Sequence, residues 1–469
     1  MKISAKYEEM NCKRMWNYGI ETLSLEELYE KMERGLLCKQ LNFVMKNCNF
    51  YKDKFKQAGF GNNYIFPKDF ELDKLPFTEK GEVIKDQEDY PPFGRLLSVS
   101  PDEIIRIHRT SGYSGRPVLI ALTHCDIEDT IEAGARTFWC AGVRPDDIII
   151  HCLNYSLWIG GLTDHLSLEK TGATVVPYGV GNSRNLIELI RYLKPTGISC
   201  TPSYLSRLEE LLNSEFGLKP KDLQIKKGIF GGEPGMQNHD IRRKIEEKWG
   251  LRAIDANFGV SDVLSAFGSE CEIRNGLHFH GQGIIHAELI NPSDGKNIEF
   301  KKGRIGELVY TNLTRRAQPL IRFRSHDMVE IIQVGKCVCG RKGFRFEVLG
   351  RSDDMITVKG INIFPTAIEN LLVEFPAFIT GEFEILIDRN PPYEYLNIRI
   401  EHRSGLSEPD KISVKESIQN KIRESLVFTA KVELIPIGTI IKDEGKARRI
   451  KRVNIIQEGI RGGLTNEKK

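Results

Sequence analysis

The sequence predicts a two-domain protein: a large α/β domain with an appended β region, then a small α+β domain. Three observations carry this. From about residue 104 to 334, short β-branched runs alternate with helical stretches, the pattern of an α/β domain with a substantial sheet. Towards the end of that span come shorter strand patterns, "GIIHAELI" and "GELVYTNL". After "GRSDDM" the order becomes helix, strand, strand, helix, strand over roughly one hundred residues, a normal domain size. The boundary falls near Gly350 and divides residues 1–349 from 350–469 of the 469-residue chain.

The elements follow in order. "SLEELYEKMERGLLCKQLNFVMKN" spaces Leu25, Leu28, Met32 and Leu36 as one helix face. Ser24 and Glu27 form a capping-box pattern at its start. Gly35 leaves open one helix or two, and Gly59 ends the helical region. "DDIIIHCL", "GATVVPYG" and "TGISCTP" read as strands; "RNLIELIRYL" and "HDIRRKIEEKW" read as the helices between them. In the second domain "PTAIENLLVEF" and "DKISVKESIQNKIRESL" are helices, and "GEFEILIDR", "YLNIRIEHR" and "AKVELIPI" are strands. The polar tail "EGIRGGLTNEKK" is expected to fray.

Composition narrows the function classes. Apolar residues make up 40% and charged residues 28%, an ordinary globular balance, and the net charge is only +3. Nothing here calls for a nucleic-acid or membrane-surface partner. The amino-terminal residues have no apolar core of a secretory signal. The longest stretch free of Asp, Glu, Lys and Arg, residues 148–163, is too short to span a bilayer and is expected to be buried. Ten cysteines without a signal point to thiols in a reducing, cytoplasmic setting.

Two clusters stand out chemically. In "RTSGYSGRP", residues 109–117, glycines can expose backbone N–H groups as an anion nest, with Thr110, Ser111 and Ser114 adding hydroxyl donors. A plain surface turn has the same composition, and no Walker Lys follows. Separately, Cys337 and Cys339 in "KCVCG" join Cys271 and His278 in "ECEIRNGLH" as a candidate ligand set, with His280 as an alternative ligand. Three thiolates and an imidazole suit a structural zinc site; free thiols are the other reading.

Taken in order, "RIHRTSGYSGRPVLIALT", "GGEPG", "NFGVSD", "PLIRFRSHDM", "GRSDDMITVKGINIFP" and "DEGKARRI" resemble the adenylate-forming superfamily, and within it the phenylacetate–CoA ligase group. "PFTEKGEVIKDQEDYPPFG" and "GGLTDHLSLEKTGATVVPYGVGNS" resemble that group as well. The similarity runs over residues 16–453. It implies that the large domain binds ATP and an acid and that the small domain is a mobile lid. It also implies the reaction. A carboxylate attacks the α-phosphate of ATP, pyrophosphate leaves, and the coenzyme A thiol then displaces AMP. Such catalysis is mainly positioning and charge stabilisation.

The resemblance also implies roles. Lys446 matches the catalytic lysine, whose flexible ammonium can follow moving negative charge. Thr110, Ser111, Gly112, Ser114 and Gly115 match the phosphate loop. Gly231, Gly232, Glu233 and Pro234 match the segment lining adenine and the acid pocket. Phe258 matches an adenine-stacking ring, with Gly259 and Ser261 in the same nucleotide segment. Asp262 stands where an acid helps hold Mg²⁺. Asp327 matches the ribose acceptor, and Arg351 a ribose and phosphate partner. Asp353 matches a hinge, and Gly360 the entry of the pantetheine arm. Tyr155 and Trp158 lie in the acid-pocket segment.

The chain departs from the family pattern at several of these places. Tyr113 replaces a threonine, Arg116 a lysine, and Asp262 the more usual glutamate. Ser156 and Trp158 stand where glycine and phenylalanine are frequent, and the added bulk argues against phenylacetate itself. The expected partners are therefore a small, aromatic carboxylic acid, ATP with Mg²⁺, and coenzyme A, with a homodimer allowed. Another acceptor (a carrier-protein thiol, an amine or a hydroxyl) and a non-catalytic nucleotide-binding relative are the alternatives.

Overall fold

The computed structural model describes residues 14–453 apart from 62, 111–116, 234, 360, 390, 441, 444, 445 and 448, with backbone alone at 362, 442, 443, 446 and 447. It divides into two compact units, Met1–Val348 and Leu349–Lys469.

In the first unit, Ser24 accepts from the Glu27 N–H at 3.2 Å and Glu27 accepts from the Ser24 N–H at 2.8 Å, closing the capping box. The helical path then runs without interruption to Asn47, through a π-helical turn at Tyr29–Glu33 and the helix Arg34–Asn47. Gly35 breaks nothing. The break comes instead at Cys48, whose extended backbone starts the helix Asn49–Gln57, and Gly59 follows with φ of +94°. Leu41, Val44, Tyr51 and Phe55 are fully buried on the inner face of these helices.

The predicted alternation yields strands β1 Arg106–Arg109, β2 Leu119–Leu122, β3 Ile148–His151, β4 Thr174–Pro177, β5 Gly197–Cys200, β6 Lys227–Gly231 and β7 Arg252–Val260. The antiparallel continuation is β8 Leu264–Ser269, β9 Leu277–Phe279, β10 Ile285–Ile290, β11 Ile305–Asn312, β12 Phe323–Val334 and β13 Phe344–Arg351. β1 and β2 form a separate hairpin; the rest make one sheet in the order β10-β11-β12-β13-β9-β8-β7-β6-β5-β3-β4. β3 to β7 pair in parallel, whereas β7 pairs antiparallel with β8. The chain goes from β3 outward to β4 and returns across β3 to β5. That reversal makes a switch point at the carboxyl ends of β3 and β5, where open α/β sheets bind ligands. Residues 148–163 are not uniformly buried: β3 is central, but Asn154, Ser156 and Leu157 rise to the surface beside the switch point.

The second unit has β14 Ile356–Val358 and β15 Ile361–Ile363 as a hairpin. The helices Pro365–Leu372 and Glu408–Leu426 accompany β16 Ile379–Ile387, β17 Leu396–His402, β18 Ala430–Pro436, the short pair β19 Lys442–Asp443 and β20 Lys446–Ala447, and β21 Ile450–Arg452. The four-stranded sheet runs β18-β17-β16-β21. Val414, Ile418 and Ile422 point one helix face into its core, four residues apart.

One buried knot joins the amino-terminal helices to the big sheet. The Tyr51 hydroxyl accepts from the Ile321 N–H at 2.7 Å and lies 3.0 Å from the Thr78 hydroxyl, which donates to the Ile321 carbonyl at 2.7 Å. Replacing Tyr51 with Phe leaves a buried N–H unpaired, so we expect a loss of about 1–3 kcal/mol in denaturant unfolding; an unchanged midpoint would show that the knot carries no stability.

Candidate active site

The site begins where β1 ends. The Arg109 N–H donates to the Leu157 carbonyl at 2.9 Å, and Arg109 bridges Trp158 in parallel. Thr110 is buried, and its hydroxyl accepts from the Val118 N–H at 3.0 Å, closing the base of the candidate phosphate loop. Ser111, Gly112, Tyr113, Ser114, Gly115 and Arg116 lie outside the described residues. So do Pro234 and Gly360.

The Trp158 indole edge lies close to two glycines. A Cβ on Gly160 would lie 3.1 Å from it, and one on Gly232 would lie 3.5 Å from it. Gly231 pairs with Asn257 across β6 and β7, and a Cβ there would come within 2.4 Å of the Asn257 Cβ. Thus Thr110, Trp158, Gly231, Gly232 and Asn257 form one continuous wall at the strand ends. Tyr155 stands beside it, its hydroxyl 3.1 Å from His165 Nδ1; burial raises its phenol above the ordinary range. Glu233 turns away to accept from the Ser203 N–H at 2.5 Å and hydroxyl at 3.0 Å, at the start of the helix Pro202–Leu211.

Phe258 is partly buried, edge-on to Phe267 and Phe346 at 5.4 and 5.2 Å. Gly259 is required by its neighbour: a Cβ there would fall 1.6 Å from the Ser265 carbonyl oxygen. Ser261 and Asp262 form the turn into β8. Asp262 Oδ2 pairs with Lys80 at 3.0 Å, and its backbone carbonyl accepts from Arg315 at 2.8 Å. Arg315 is buried, and among the described residues its Nε and Nη2 have no hydrogen-bond partner.

Asp327 follows a bulge in β12, where the pairing with β11 slips between Glu307 and Val309. Bulges re-aim side chains. Here Glu307, fully buried, holds the kink: Arg324 donates to its two oxygens at 2.9 and 2.6 Å, and the His326 N–H at 3.3 Å. The Asp327 N–H donates to the Ser325 hydroxyl at 3.0 Å. Residues 78–80 tie this bulge to Asp262. Thr78 exchanges backbone hydrogen bonds with Arg322 and Arg324 at 2.9 and 3.0 Å, Glu79 meets His326 at 3.1 Å, and Lys80 holds Asp262. Sequence reasoning missed Lys80, Arg315 and Glu307; their partners lie far along the chain, and no local pattern marks them.

In the second unit Arg351 pairs with Asp353 through two bonds of 2.9 and 2.7 Å. Lys446 lies in β20, opposite Asp443 of β19.

Cys271, His278, Cys337 and Cys339 do converge, all buried, their ligand atoms within 4.8 Å of one another. His280 is outside the group; its Nε2 lies 3.2 Å from the Ser269 hydroxyl. Behind the cluster Arg341 pairs with buried Glu21 at 2.6 Å, tying it to the amino-terminal segment.

A second buried carboxylate sits behind the Trp158 wall. Asp164 accepts from Asn257 Nδ2 at 2.5 Å and the Ser265 hydroxyl at 2.7 Å. Burial pushes its carboxyl up to about 7.

Comparison with known proteins fits this geometry. Residues 66–310 match the AMP-binding enzyme family, and residues 360–452 match the AMP-binding enzyme C-terminal domain. The chain is 31% identical over 463 residues to a phenylacetate-coenzyme A ligase of Thermus thermophilus, spanning 93% of this chain and 99% of the relative. It is also 31% identical over 440 residues to a phenylacetate-coenzyme A ligase of Escherichia coli, spanning 92% and 96%. A crystal structure of 2-hydroxyisobutyryl-CoA ligase in the postadenylation state, with R3-HIB-AMP bound, is similar with a TM-score of 0.83 at 27% identity, over 94% of this chain and 93% of that one. ATP-bound MatB from Rhodopseudomonas palustris shares the fold, with a TM-score of 0.54 at 18% identity over 75% and 68%.

The raised Asp164 carboxyl has a stability consequence. The unfolded group titrates near about 3.9, the folded one at about 7. The folded state holds the proton more tightly, so its contribution is present below the unfolded value and is lost as pH rises through 7. Between these values wild type should lose up to roughly 1.4 kcal/mol per pH unit from this group. An Asp164→Asn variant should show a flatter stability–pH curve; parallel curves would refute the raised value.

The matched families, the whole-length relatives and the site at the strand ends lead to one conclusion: the chain belongs to the AMP-binding enzyme family, and within it to the phenylacetate–CoA ligase group.

Proposed function

We propose that the chain is an ATP-dependent, AMP-forming acid–CoA ligase whose acid is aromatic. The supporting observation is the convergence at the strand ends: the base of the phosphate loop meets Trp158, Gly231 and Gly232, while residues 78–80 link Asp262 to the Asp327 bulge. In the first half-reaction an acid carboxylate oxygen attacks the α-phosphorus of ATP, and the bond to pyrophosphate breaks. In the second, the coenzyme A sulfur attacks the acyl carbon, and AMP leaves with the bonding pair.

Roles divide between the units. The first carries ATP and acid binding; the second is the lid, with Asp353 as hinge, Gly360 at the pantetheine entry, and Lys446 as the cation that neutralises charge at the α-phosphate. Asp327 accepts from the ribose hydroxyls, Arg351 assists there, and Phe258 faces adenine. Asp262 has one carboxylate oxygen on Lys80, so it offers magnesium a single further oxygen, the phosphates supplying others. Magnesium would add Lewis-acid charge stabilisation. The described cysteines form no disulfide, which suits a cytoplasmic enzyme.

The cysteine–histidine cluster is a structural zinc site. A tetrahedral thiolate site places sulfurs about 3.8 Å apart. Cys271 and Cys337 are 3.9 Å apart, and Cys339 lies 3.6 Å from His278 Nε2. It has no opening for chemistry. Its work is to staple the turn at residues 337–341 to β9.

Three experiments test these readings. Pyrophosphate exchange with a panel of acids, then thioester formation dependent on free coenzyme A, should both be observed; no exchange with any acid sinks the ligase reading. Lys446→Ala should cut adenylation about 100-fold or more while sparing thioester formation from preformed adenylate; equal loss in both would remove its role. For zinc, protein purified without added metal should contain one zinc per chain, lost on Cys339→Ser replacement; a folded, metal-free wild type would exclude the site.

A further inference from the structure

An ionisable carboxylate sits where an apolar wall would suffice. Asp164 lies on the helix Ile159–Lys170, is 1% exposed, and is spent on Asn257 of β7 and Ser265 of β8. A buried charge is costly unless it accepts hydrogen bonds, and a buried polar network fixes the orientation of its members. Asp164 therefore fixes the Asn257 amide. Nδ2 donates to Asp164, and among the described residues no donor meets Oδ1. Asn257 itself is only partly buried.

The position of that oxygen matters. Asn257 is the pairing partner of Gly231, next to Gly232 and the Trp158 edge. Asp164 Oδ2 would lie 3.3 Å from a Cβ on Gly160, the glycine that also flanks the indole. The wall thus carries an indole edge close to two glycines, with one acceptor fixed beside them by Asp164. A hydroxyl or amine on an aromatic acid lying against this wall would satisfy the acceptor.

Resting on the ligase reading, we propose that the acid is an aromatic carboxylic acid bearing a hydroxyl or amino hydrogen-bond donor, held by Asn257 Oδ1, with Asp164 as the positioning residue. A site that hydrogen-bonds a substrate donor strongly rejects the analogue without it, because its own polar group is left unpaired. Bulk at Trp158 excludes; the Asn257 acceptor selects.

The test uses the full chain with ATP, coenzyme A and matched aromatic acids: unsubstituted, methoxy-, hydroxy- and amino-substituted. Wild type should favour a hydroxy or amino acid over its unsubstituted and methoxy counterparts by about 100-fold or more in kcat/KM. In Asn257→Leu that ratio should collapse towards one. Asp164→Asn, which keeps an acceptor for Ser265, should retain more of the preference than Asp164→Leu, with pyrophosphate exchange and thermal melts reporting on folding. Equal use of all four acids by wild type, or a preference for methoxy, overturns the proposal even if a variant fails to fold. Exchange with none of the acids would instead remove the ligase reading, and this proposal with it.

Discussion

β7 has to satisfy two different neighbours. On one edge it pairs in parallel with β6; on the other it pairs antiparallel with β8. The hydrogen-bond patterns of the two ladders differ, evenly spaced and slanted on one edge, alternately close and wide on the other. Both pairings slip, one between Phe230 and Gly231, the other between Phe258 and Val260. Glycine makes the second slip sterically feasible, because the Ser265 carbonyl occupies the space a side chain at 259 would need. The joint between the parallel and antiparallel halves of the sheet therefore falls within the segment Asn257–Asp262.

The site follows from that joint. The slips set Asn257 opposite Gly231 and leave Phe258 to pack edge-on against two rings. They also put Asp262 in the turn after β7, within reach of Lys80. A third slip, in β12, does the same for Asp327, and the buried Glu307 carboxylate stabilises it with Arg324. Residues 78–80 lock the β12 slip to the turn that carries Asp262. The cysteine–histidine cluster gathers residues from the turn before β9, from β9 itself and from the turn between β12 and β13.

Much of this was legible in the sequence, for physical reasons that differ by residue. Alternation of β-branched runs and helical stretches revealed the parallel half, because its inner strands β3, β5 and β6 are buried on both faces. The capping box at Ser24 and Glu27 was readable because both partners lie within one turn. Gly35 left one helix or two open, and the path is unbroken because a glycine inside a long amphipathic helix is tolerated when the inner face is well buried. The cysteine–histidine cluster was readable as a ligand set, although only the fold brings Cys271 and Cys337 together. Lys80 with Asp262, Glu307 with Arg324, and Asp164 with Asn257 carry no local signature. Each pair joins different elements of the fold, so no spacing rule reaches it.

The central claim is that the β7 joint and the segments around it close on one acyl-adenylate. Hydrogen–deuterium exchange with a non-hydrolysable acyl-adenylate analogue measures this directly. The account predicts added protection in peptides covering 109–118, 155–161, 228–236, 255–263 and 322–328, together and at the same analogue concentration. Protection confined to other parts of the first unit, with those segments unchanged, would contradict it.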